Sequence, residues 1–86
     1  METRSFWWDE ENIEHIADHG VEPYEAEEVI DNAVLVRKVA QGKYIAFGQT
    51  DYGRYLIVVF APKSNQRLRV ITARDMTLTE KKRFRR

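Results

Sequence analysis

Eighty-six residues with 43% hydrophobic and 33% charged content suit one small domain, residues 1–86, and leave no room for a second core. The absence of cysteine excludes disulfides and thiolate chemistry and points to the cytoplasm, and the longest apolar run, "YLIVVFAP" from Tyr55, is strand-length, so neither a signal peptide nor a membrane partner is expected. The net charge of zero hides a split: residues 1–31 hold eleven Asp and Glu against one Arg, and residues 32–86 hold thirteen Lys and Arg against three acids, which fits either a nucleic-acid or acidic partner or an acidic half that folds back on the basic half.

In chain order, "SFWW" reads as a short strand or extended arm, with Phe6 and Trp8 on one side and Trp7 on the other. Asp9 stands where a helix N-cap belongs. Ile13, Ile16 and Ala17 make a helical stripe, and Gly20 is a C-terminal stop. "PYEAEEVID" reads as a second helix with Ala26, Val29 and Ile30 inward. From Ala33 the period changes to two. "AVLVRKV", "KYIAFGQT", "RYLIVVFA" and "RLRVITAR" read as strands separated by the turns "AQGK", "DYG" and "PKSNQ". Gly42, Gly48 and Gly53 mark turns and a bulge. "TLTE", with Thr77 and Glu80, is a capping box that opens a basic helix running to the chain end. The expected fold is α+β: two acidic N-terminal helices on a twisted antiparallel meander, then a short basic C-terminal helix.

Few arrangements carry chemistry. His15 and His19 are four residues apart on one helix, spacing that zinc could use with a carboxylate, but the H-E-x-x-H order is missing, so solvated histidines are the plainer reading and no metal is expected. No Ser-His-Asp or Cys-His arrangement and no phosphate-cradling glycine motif occurs. The basic residues say more. Lys43 and Arg54 open two strands, and Arg67, Arg69 and Arg74 line the last, where Leu68 and Val70 alternate with the first two. Tyr44, Tyr52 and Tyr55 lie beside these cations in the sequence. A cationic sheet face with aromatic neighbours suits RNA, whose phosphates need neutralising and whose unstacked bases stack on rings. An ordinary solvated face, covered by Arg and Tyr, has the same pattern.

The segments "WDEENIEHIADHGV", "EAEEV", "KYIAFGQTDYGRYLIVVF" and "RLRVITARDMTLTEKKRFR" together resemble, in order and over nearly the whole chain, the BrnT family of bacterial toxins. These are the toxin halves of BrnT–BrnA type II toxin–antitoxin pairs. The resemblance implies a RelE-like ribonuclease fold that cleaves RNA with no metal or cofactor and stalls translation. It implies a BrnA-like antitoxin as partner, and DNA only indirectly, through that antitoxin. Carried over by position, Arg54 matches the Gly-Arg arginine, Arg69 and Arg74 match arginines of the last strand, and Lys43 stands where members place a basic residue. Lys43, Arg67, Tyr44 and Tyr55 are the expected RNA-binding set. Arg54, Arg69 and Arg74 are expected on the scissile phosphate, where fixed guanidinium groups favour the charge that builds during cleavage.

Three positions depart from the family pattern. Phe84 stands where members carry a tyrosine in the final helix, Asp18 where many carry Lys, and His15 where Asn is common. The general acid and base therefore remain open among Tyr44, Tyr55, His19 and Glu80, with His19 favoured as histidine exchanges protons near neutral pH. The rival reading is a binding module on the same fold whose catalytic set has decayed.

Overall fold

The computed structural model describes residues 5–85. Strand β1 (Ser5–Trp7) leads into helices α1 (Glu10–Ala17) and α2 (Pro23–Asp31); β2 (Leu35–Val39), β3 (Lys43–Gln49), β4 (Tyr55–Pro62) and β5 (Arg67–Asp75) follow, and α3 (Leu78–Phe84) comes last. Local chemistry explains most boundaries. The Asp9 carboxylate accepts from the Asn12 N–H at 3.1 Å, and the Asn12 side chain accepts from the Asp9 N–H at 2.8 Å, a reciprocal cap that starts α1. Gly20, with φ of 70°, takes the left-handed conformation that ends the helical turn and lets Val21 enter the core. Thr77 and Glu80 form the expected capping box on α3. That helix stops at Phe84 rather than at the chain end, and Arg86 lies outside the described residues.

β2 to β5 form the expected antiparallel meander, but the sheet as a whole is mixed. Its order is β1-β5-β4-β3-β2, and β1 runs parallel to β5, pairing Ser5 with Arg67, Phe6 with Leu68 and Trp7 with Arg69. The expectation of two N-terminal helices on a purely antiparallel sheet is thus corrected: a strand precedes the helices and completes the sheet. Side chains hold this short ladder. Asn12, buried in α1, donates through Nδ2 to the carbonyls of Trp7 and Val70 at 2.9 and 3.0 Å, and Trp8 Nε1 donates to Glu27 of α2 at 2.7 Å.

Both helices cover one face of the sheet. Ile16, Val21, Ala26, Val29 and Ile30 pack on Ala46, Leu56, Val58, Phe60, Val70 and Ala73. The inward stripe of α1 is therefore Asn12 with Ile16, while Ile13 and Ala17 are exposed; the capped first turn aims Asn12 at the β1–β5 junction. Gly48 lies in mid-strand rather than in a turn or bulge. A Cβ there would meet the Val29 carbonyl oxygen at 3.2 Å, so its bareness lets α2 approach β3. The bulge sits instead between β4 and β5, where Val59 faces Thr72 but Phe60 faces Val70, leaving Ile71 as the extra residue. β2 begins at Leu35 rather than Ala33 and is exposed along its whole length. Among the described residues, no helix is long and apolar enough to cross a membrane.

Candidate nucleic-acid interface

Strand alternation sorts the basic residues between the two faces. Leu68 and Val70 point to the helix-covered core, so Arg67 and Arg69 point to the opposite face, beside Trp7. After the bulge Ala73 is inward, and Thr72 and Arg74 join the open face. On β4, Leu56 and Val58 are inward, and Tyr55, Ile57 and Val59 are outward. On β3, Tyr44 packs on the core and stacks on Phe60 with centroids 5.7 Å apart, so its neighbour Lys43 faces out.

Trp7 is the residue that sequence reasoning missed on this face. Its ring lies under two guanidinium groups, with the Arg67 Cζ at 4.8 Å and the Arg69 Cζ at 5.5 Å from the centroid. Both distances fall within the range of cation–π attraction. The available signal was the alternation in "SFWW", which set Trp7 apart from Phe6 and Trp8; the parallel pairing that brings it to Arg69 had no local signal.

The arginines differ sharply in their partners. Arg69 donates to Asp9 at 2.6 Å and to Glu11 at 2.9 Å. Arg74 clasps Glu80 with two bonds of 2.9 and 3.0 Å. Arg67 has no carboxylate among the described residues, and its Nε is buried without a hydrogen-bond partner. Lys81 extends over the Tyr55 ring, Nζ to centroid 5.9 Å, and Phe84 meets the same ring edge-on at 5.8 Å. α3 thus brings Glu80, Lys81 and Phe84 onto the open face, and a cleft of about 380 Å³ runs beside it, lined by Leu35, Arg37, Phe47, Glu80, Arg83 and Phe84.

Arg54 stands apart from these groups. Its guanidinium donates through Nε and Nη2 to both carboxylate oxygens of Asp75 at 2.9 Å, and through Nη1 to Glu25 at 2.9 Å and the Gly20 carbonyl at 2.8 Å. It joins the end of β5 to the α1–α2 turn and to the first turn of α2. His19 is exposed at the end of α1, in the helix layer, with its ring edge-on to His15 at 6.0 Å. Among the described residues, no group of three or more His, Asp or Glu converges as a metal site would require. The expected set therefore divides: Lys43, Arg67, Arg69, Arg74 and Tyr55 share the open face, whereas Arg54, His19 and Tyr44 belong to the helix side.

The ion pairs keep these groups charged. The hydrogen bond from Arg69 holds the Asp9 carboxyl below its ordinary value. Arg54 does the same to Asp75, whose bond in turn pushes the Arg54 guanidinium further up. The hydrogen bond from Arg74, helped by the Thr77 N–H, lowers the Glu80 carboxyl to about 2.

The model of the family described as "Ribonuclease toxin, BrnT, of type II toxin-antitoxin system" matches residues 7–80. In fold, the chain is similar to the crystal structure of the Brucella abortus ribonuclease toxin BrnT, with a TM-score of 0.73 and 26% identity, covering 87% of this chain and 99% of that one. No curated protein matches the chain.

Proposed function

The chain belongs to the BrnT family of ribonuclease toxins from type II toxin–antitoxin systems, and on that premise we propose that it cleaves RNA on the sheet face opposite α1 and α2, without a metal, and that an antitoxin of the BrnA kind neutralises it in the cytoplasm. The observation that carries this reading is the Arg67–Trp7–Arg69 stack. An indole beside a guanidinium that has no carboxylate partner among the described residues offers a base-stacking platform and a phosphate ligand within a few ångströms. Lys43 adds charge on the same face.

The reaction follows the RelE-like scheme that the family resemblance implies. The 2′-oxygen attacks the adjacent phosphorus and loses its proton to a base. The bond from phosphorus to the 5′-oxygen breaks, and an acid protonates that oxygen. Arg67 and Arg74 stabilise the charge gathering on the phosphoryl oxygens, Arg74 while still held by Glu80. Phe84 has no proton to exchange, but it supports the Tyr55 ring, whose hydroxyl is the phenol on this face, with Lys81 beside it. We assign Tyr55 the second of these transfers, protonation of the leaving 5′-oxygen, while solvent water takes the 2′-proton. Arg54 serves as a positioning residue that holds the ends of β5 and α2 in place, and His19 and Tyr44 take no part.

The binding-module alternative draws on Phe84 and on the carboxylates that occupy Arg69 and Arg74. The discriminating experiment incubates purified protein with RNA in the presence of EDTA, wild type beside Tyr55→Phe and Arg67→Ala. Cleavage by wild type alone supports the nuclease. RNA binding by wild type and Tyr55→Phe, with cleavage by neither, supports the module.

A further inference from the structure

Strand β2 closes the sheet at the edge opposite β1, pairing with β3, and no strand among the described residues pairs with its other edge. Each of its residues is exposed, including Leu35 at 40%, Val36 at 49% and Val39 at 38%, with Val34 before it at 77%. A free edge with this much apolar surface is a template for another strand. Arg37 and Lys38 stand in its middle on opposite faces, and neither has a carboxylate partner among the described residues.

Those two cations decide the occupant. A second copy pairing antiparallel about Arg37 would set Arg37 opposite itself and gather both copies' Lys38 nearby, and like charges opposed across a ladder repel. RNA has no use for a row of valines and a leucine. A peptide strand that reads apolar, acid, acid, apolar, apolar would place its acids opposite Lys38 and Arg37 and its apolar residues opposite Val39, Val36 and Leu35. Side chains on one of its faces would continue into the α3 cleft, where Arg83 adds a further cation to Phe47 and Phe84.

We propose that β2 is the docking edge for a protein partner that adds such an acidic-centred strand to the sheet. That this partner is the neutralising antitoxin rests on the toxin reading above. The docked strand would lie along the α3 side of the open face, restricting access of RNA to Tyr55, so docking and inhibition become one event.

The test uses the full chain labelled with nitrogen-15. It is titrated with a capped peptide containing Val-Glu-Asp-Val-Ile, and separately with one containing Val-Lys-Lys-Val-Ile. The expected result is amide shifts concentrated in β2, β3 and α3 for the acidic peptide only. Replacing Val36→Glu and Lys38→Glu, both exposed and on the face away from Tyr55, is expected to weaken that binding at least about tenfold while the spectrum stays folded. The proposal is overturned by an absence of shifts, by equal binding of the lysine peptide, by concentration-dependent broadening of the β2 amides without peptide, or by a short RNA that shifts those amides. RNA cleavage is assayed on the same samples. Protein that binds the acidic peptide at β2 but leaves RNA intact removes the nuclease reading and keeps this one; protein that cleaves RNA and ignores the peptide does the reverse.

Discussion

Arg54 and Asp75 meet fork to fork, with Nε–Oδ1 and Nη2–Oδ2 both 2.9 Å, while the third guanidinium nitrogen of the same arginine reaches Glu25 and the Gly20 carbonyl. Three segments distant in sequence are fastened by one planar group: the start of β4, the end of β5, and the α1–α2 turn with the first turn of α2. The "HGV" and "GRY" segments, separate in the sequence, are thus the two ends of a single contact.

Arg54→Ala is therefore expected to destabilise the fold, by on the order of 2 kcal/mol, because it strands two carboxylates and a carbonyl. Arg54→Lys should restore little, since an ammonium cannot reproduce the two-pronged bond. Urea unfolding of the three proteins measures this directly. Wild-type stability in Arg54→Ala, with cleavage lost, would return Arg54 to the phosphate.

Asn12 is expected to be the most costly polar residue of α1. It is 2% exposed and satisfies the carbonyls of Trp7 and Val70 at the β1–β5 junction. Asn12→Ala leaves those oxygens to find other donors and removes half of the α1 cap, a loss of about 2–3 kcal/mol. Hydrogen exchange should quicken first in β1, whose ladder is three residues long.

Acid should unfold the protein through its paired carboxylates. Glu80 falls from an ordinary 4.5 to about 2, and Asp9 and Asp75 fall below 3.8. Each binds fewer protons folded than unfolded, so its stabilisation is complete above the unfolded pKa and drains away as pH falls through the folded one. The urea midpoint is expected to be level above about pH 5 and to drop steadily between about pH 4.5 and pH 2. In Glu80→Gln the drop should be shallower, with a lower plateau at neutral pH.

The open-face assignment separates activity from stability. Arg67→Ala and Tyr55→Phe should each lower cleavage by about 10²-fold or more with little change in unfolding. His19→Ala should leave cleavage near wild type. A large loss in His19→Ala together with full activity in Tyr55→Phe would move the chemistry to the helix side.

What could be read directly from the sequence has a local cause. Asp9 and Thr77 announce their helices because a cap is a bond across three residues, and the strands of the meander show because alternation repeats every second residue. Family membership was legible for a related reason: its motifs are short and kept their order. The fate of the charges was not legible. Arg69 pairs with Asp9 sixty positions away, and nothing near "RLR" states that β1 will lie parallel beside it. Lys43 and Tyr44 look equivalent until α1 and α2 cover one face of the sheet, taking Tyr44 into the core and leaving Lys43 on the other face. The sequence alone could list the cations; only the tertiary structure decided which are spent on carboxylates and which face outward, because register and layer order set those distances.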